Sequence, residues 1–263
     1  MAMTAFGRIW SRGVPLAVAG AVGWLTAACH YGVALDAIAP VPEARAAPPS
    51  GAAPPSAPSY RGAVAHAAAS VVSVYAAGEI SRGGIGPDVQ TLSIGSGVIL
   101  DRSGFIVTNG RLFQAGAQLV VALGDGTPRP AALVGFDPGS GIALLKIEAA
   151  DLKPIEMGDM ADVAVGDVVL AIGNPPGVGQ TVSHGIIGAI GRNRNGIDGY
   201  IETDAAIAPG GYGGALVDTA GRLIGITAAS IAIGDEPPGI RLAVPVDRVQ
   251  EVVARLKKTG REA

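Results

Sequence analysis

From Ser70 to Pro245 the apolar positions fall in short, β-branched runs: "SVVSVYAA", "GSGVIL", "GFIVTN", "QLVVAL", "PAALVGF", "IALLKI", "DVVLAIGN" and "GRLIGITA". Gly, Pro, Asn or Asp interrupts them at close intervals, the pattern of many short strands in a sandwich or barrel. No central segment keeps a 3.6-residue period, which argues against a doubly wound α/β sheet. The expected fold class is all-β with short N-terminal and C-terminal helices. One helix is predicted over Tyr60 to Ala69. The other starts at Pro245 as its first helical residue and buries Val246, Val249, Val253 and Leu256. "GNPPGVG", Gly173 to Gly179, lacks the Lys-Ser/Thr of a phosphate loop and reads as a turn.

The pattern is different before Tyr60. Residues 14–35, "VPLAVAGAVGWLTAACHYGVAL", contain no Asp, Glu, Lys or Arg. As a helix they would cross about 30 Å of hydrocarbon. Arg8 and Arg12 precede them, which leaves residues 1–13 cytoplasmic and the rest of the chain outside. Two alternatives stand beside this anchor: a cleaved secretory signal using Ala44 and Ala46, or a lipoprotein signal ending at Cys29. Residues 36–59 carry seven prolines and no apolar period, and read as a Pro/Ala-rich semi-rigid spacer.

Composition narrows the chemistry. Hydrophobic residues make up 49% of the chain and aromatics only 4%, so the core is aliphatic. A net charge of −3 gives no reason to expect a nucleic-acid partner, and Lys257, Lys258 and Arg261 fit the end of a helix, where they complement its dipole. Cys29 is the only cysteine, and His30, His66 and His184 show no ligand spacing. No metal site and no cofactor are expected.

Seven motifs then follow in order: "SYRGAVAHAAASVVSVYAAG", "GSGVILDRSGFIVTN", "ALGDG", "ALLKI", "GDVVLAIGNPPGVGQTVSHGIIGAIGR", "ETDAAIAPGGYGGALVDTAGRLIGI" and "PPGIRLAVPVDRV". Together they resemble the HtrA/Deg family of trypsin-like serine proteases, most of all its membrane-anchored DegS type. The resemblance implies a chymotrypsin/trypsin-like double β-barrel over residues 60–263, with barrels near 61–150 and 160–244 and the active cleft between them. It also implies a periplasmic domain tethered to the bacterial inner membrane, and a trimer built around the Tyr60 region. DegS-type proteins continue into a PDZ domain, whereas the sequence stops at Ala263, so no PDZ domain is expected.

The resemblance fails at the chemistry. Where the family has T-N-x-H, this chain has Thr108, Asn109, Gly110 and Arg111. Gly141 stands at the family's aspartate position, two residues before Ala143. The family's G-N-S-G-G is Gly210, Gly211, Tyr212, Gly213 and Gly214. A serine mechanism needs a hydroxyl, a base that takes its proton, and a group that orients the base. A guanidinium keeps its proton at physiological pH, and a phenol without a neighbouring base is a poor nucleophile. Ser183 and His184 are consecutive in a strand, so their side chains point to opposite faces and form no substitute dyad. Arg241 and Leu242 also depart from the family, in "GIRLAVP".

The glycines of the turn survive. They imply an oxyanion-hole-like set of N–H donors at Gly210, Gly211 and Tyr212. Arg111 faces Tyr212 in this reading, either as a cation–π plug or as drift at a disused site. The expected function is that of a catalytically inactive regulator or scaffold in envelope protein quality control, as a homotrimer or as a heteromer with an active relative. The alternatives are an active endopeptidase, which overall similarity suggests, and a binder of peptides or unfolded protein in the old cleft.

Overall fold

The computed structural model describes residues 59–80, 89–110, 116–175, 177, 179–194, 197–228 and 241–260. Helix α1 (Arg61–Ala67) tightens into a 3-10 turn over Ala68–Ser70, ending one residue past the end of the helix predicted for Tyr60 to Ala69. Six strands follow: β1 (Val71–Ile80), β2 (Val89–Ile99), β3 (Phe105–Asn109), β4 (Gln118–Ala122), β5 (Pro128–Asp137) and β6 (Ile142–Ile147). They close into a barrel in the order β1-β2-β3-β6-β5-β4. Six more repeat the arrangement: β7 (Val168–Gly173), β8 (Thr181–Arg194), β9 (Ile197–Thr203), β10 (Ala215–Val217), β11 (Leu223–Thr227) and β12 (Arg241–Pro245). Their order around the second barrel is β10-β11-β12-β9-β8-β7, the same path with six added to each number. The expected double β-barrel is therefore present.

Strands such as "IALLKI" and "VVLAIG" lack polar alternation because both their faces are covered. Leu145 and Ile147 of β6 point into the first barrel with Val72, Val74 and Ile106. Ile142 and Leu144 of the same strand join a larger cluster with Leu170, Ile172, Leu223 and Ile226, which fills the seam between the barrels. Val169, Ala171, Ile187 and Leu216 fill the second barrel. Period-two geometry sends alternate side chains to interior and seam, so the sequence shows an unbroken apolar run.

The last helix, α2 (Val246–Thr259), buries Val252 as well as the four predicted residues. Pro245 is its N-cap and not its first helical residue, a correction of one position. Its ψ of 149° is still extended, because it ends β12 before the chain turns. Among the described residues no helix is long and apolar enough to cross a membrane. The expected anchor at 14–35 and the linker up to residue 58 lie outside the described residues.

Candidate functional site

The glycine-rich turn at 208–214 joins β9 to β10 and is fastened from both barrels. On β11, the Thr227 hydroxyl donates to the Gly211 carbonyl at 2.9 Å, with the Gly214 carbonyl at 3.2 Å. The Thr227 carbonyl accepts the Gly213 N–H at 2.7 Å, and its N–H donates to the Gly214 carbonyl at 3.0 Å. On β2 of the first barrel, the Ser96 N–H donates to the Tyr212 carbonyl at 2.9 Å. The Ser96 hydroxyl donates to the Gly210 carbonyl and accepts the Asn174 N–H, both at 2.8 Å. Ser96 is completely buried, and its carbonyl takes the Thr108 hydroxyl at 2.6 Å. A buried hydroxyl that both donates and accepts fixes orientation as well as distance.

These bonds decide which donors remain. The Gly211 N–H is consumed by the Ala208 carbonyl at 2.7 Å, closing a tight turn. Of the expected donors Gly210, Gly211 and Tyr212, the N–H groups of Gly210 and Tyr212 meet no acceptor among the described residues. Two such groups on either side of a spent one suit a carbonyl oxygen or an anion. The Tyr212 side chain is partly exposed and has no bond or ring contact among the described residues. Arg111, and with it the expected contact between Arg111 and Tyr212, lies outside those residues.

The other half of the site is a corner of the first barrel. The Gly110 N–H, just past β3, donates to the Gly141 carbonyl at 2.7 Å, and the Gly141 N–H donates to the Asp137 carbonyl at 2.8 Å. Gly141 is buried with φ +74°, a conformation most side chains resist. Gly110 is equally constrained, since a Cβ there would lie 2.2 Å from the Phe136 ring. No imidazole or carboxylate among the described residues bonds to residues 210–214. Ser183 donates to the Ala206 carbonyl while His184 lies exposed beside Tyr60, with ring centroids 6.2 Å apart. His66 bonds Glu156 at 2.9 Å.

Sequence reasoning missed the fasteners Ser96, Thr108, Asn174 and Thr227. The available signal was a small polar residue inside an apolar strand, as in "GSGVIL" and "GRLIGITA", where a buried hydroxyl implies a partner.

The family model for a trypsin-like peptidase domain matches residues 95–226, half of the chain, including both halves of the site. Serine endoprotease DegS of Haemophilus influenzae is 42% identical over 211 residues, 77% of this chain and 62% of that protein. The chain belongs to the HtrA/DegS-type trypsin-like proteases. Periplasmic serine endoprotease DegP of Escherichia coli is 40% identical over 188 residues, 70% of this chain and 40% of the relative. Among solved structures, the HtrA-type protease AlgW with a decapeptide matches at a TM-score of 0.67 and 40% identity, over 77% of this chain and 69% of that one. AlgW with a tripeptide matches at 0.67 and 43% identity, over 77% and 65%. The chain thus spans about three fifths of the DegS proteins it matches.

The corner carries a titratable group. Burial alone would raise the Asp137 pKa, but the Ser140 hydroxyl and N–H and the charge of Arg255 outweigh it and hold it below the ordinary aspartate value. Asp101 is lowered in the same way against its own burial, by Lys257, Ser103 and the Phe105 N–H. A depressed carboxylate contributes stability above its unfolded pKa, and that contribution is lost as pH falls through the folded value. Stability should therefore decline below about pH 4. Asp137→Asn should cost roughly 1–2 kcal/mol at pH 7 and flatten that acid limb. Urea unfolding across pH 2–7 checks both, and an unchanged acid limb in the variant would remove Asp137 from the account.

Proposed function

We propose that this HtrA/DegS-type chain is a pseudoprotease: a protease fold that binds without hydrolysing. The observation that carries the reading is Tyr212 at the centre of a turn held by Ser96 and Thr227, together with a Gly141 that has no side chain to orient a base. Without a hydroxyl and its base the proton transfer of acyl transfer has no acceptor, and loss of one such group alone lowers rates by several powers of ten.

The ligand in this proposal is a peptide in extended form, its carbonyl taken by the Gly210 and Tyr212 N–H groups. Peptide complexes of AlgW among the structural neighbours favour that class. Self-association, or pairing with an active relative, draws support from the outer row of β8, where Val182, Ile186 and Ile190 are 43%, 46% and 36% exposed. We further assign the uncharged stretch at 14–35 to a single inner-membrane anchor, with the barrels in the periplasm. Full-length protein, recovered with the membrane fraction and extracted in detergent, is expected to show neither hydrolysis of unfolded casein nor labelling by a serine-reactive phosphonate. A labelled residue whose substitution abolishes measured hydrolysis would replace this reading with that of an active endopeptidase.

A further inference from the structure

Helix α2 follows the last strand of the second barrel, yet its polar anchors are in the first. Arg255 pairs with Asp137, and Lys257 reaches Asp101 at 2.8 Å while lying 3.9 Å from the centre of the Phe105 ring. Leu256 between them packs on β5 so closely that a Cβ at Gly135 would meet its side chain at 2.9 Å. The helix is a strap across both barrels, with two separate buckles.

One buckle leads to the site. One oxygen of Asp137 takes Arg255, and the other takes the Ser140 N–H at 2.8 Å and its hydroxyl at 2.6 Å. The Asp137 carbonyl takes the Gly141 N–H, and the Gly141 carbonyl takes that of Gly110. Sheet pairing between β5 and β6 ends at Asp137 opposite Ile142. The turn beyond it therefore depends on Asp137, whose side chain is only 15% exposed and directed by the guanidinium. Phe136, beside Asp137, packs its ring on Gly110 and closes the corner.

We infer that Arg255 is a positioning residue: from the C-terminal helix it sets the place of the Gly110–Gly141 corner, and so of the first-barrel half of the cleft. The inference goes beyond the pseudoprotease reading, because it concerns where the corner sits and not whether it reacts. The charge-assisted bond from Arg255 to a carboxylate that is itself mostly buried ties the corner to the helix.

Amide hydrogen exchange on the full-length chain tests it. Arg255→Gln should speed exchange at Gly110, Ser140 and Gly141 by about three- to tenfold, leaving Ser96, Gly213 and Gly214 unchanged. Arg255→Lys should restore most of the protection. Lys257→Gln, which releases the other buckle, should loosen Ser103 and Phe105 but not the corner. The inference is overturned if Arg255→Gln changes every amide alike or none, or if Lys257→Gln loosens the corner equally.

Discussion

Gly213→Ala is expected to be severely damaging, lowering unfolding stability by more than about 3 kcal/mol or preventing folding outright. Gly213 has φ +85°, and a Cβ there would stand 2.3 Å from the Ser96 carbonyl, 2.6 Å from the Thr108 hydroxyl and 2.7 Å from the Asn109 N–H. None of these atoms can retreat. The Ser96 carbonyl already holds Thr108, the Ser96 N–H holds the Tyr212 carbonyl, and Asn109 ends β3 in register with Ile142. The left-handed backbone alone costs an alanine about 1–2 kcal/mol, and overpacking adds a similar amount or more. Gly177→Ala separates the two terms, because φ there is +78° with nothing within 4 Å of the added carbon. It should lose only the conformational part. Equal urea midpoints for the two variants would show that the turn is not clamped against the first barrel.

The same contacts explain what the sequence could and could not disclose. Strand runs and glycine punctuation are local signals, so the all-β class and both helices were legible from spacing. The two-barrel arrangement came from resemblance, since closure depends on pairings such as Val71 with Val98 and Ala215 with Ile172 that no local period encodes. Gly210, Gly211 and Tyr212 could be located as a turn. Which of their N–H groups stay open could not, because that is settled by the Ala208 carbonyl three residues back, in a turn whose own carbonyls are held by Ser96 more than a hundred residues away. Gly141 was legible as a missing side chain, but not as a left-handed residue whose carbonyl holds Gly110. The role of Arg255 had no signature at all. An arginine near a helix end ordinarily faces water, and only the return of α2 onto β5 brings it to Asp137.

Restoring Arg111→His, Gly141→Asp and Tyr212→Ser together is expected to recover hydrolysis of an activated peptide ester, to about a hundredfold above the parent, and no more. The gain rests on the turn. Ser96 and Thr227 pin its carbonyls, while the Gly210 and Tyr212 N–H groups meet no acceptor among the described residues and are left to meet an oxyanion in the proposed reading. Preorganised donors of this kind supply a large part of the acceleration even where other groups are imperfect. The ceiling comes from the corner. An aspartate at 141 must adopt φ near +74°, a conformation aspartate tolerates better than most residues but still at a cost. The Gly141 carbonyl is meanwhile committed to Gly110, against which the Phe136 ring packs, so the backbone of the corner has little freedom to move with the new carboxylate. An orienting group displaced by about 1 Å costs on the order of a hundredfold in rate. Tyr212→Ser alone should remain at the parent level, since a serine without a base has nowhere to send its proton. Measured kcat/KM for the single and triple variants decides the matter. A triple variant no faster than the parent would mean that the glycine turn, for all its bonds, does not hold its donors where a tetrahedral intermediate needs them.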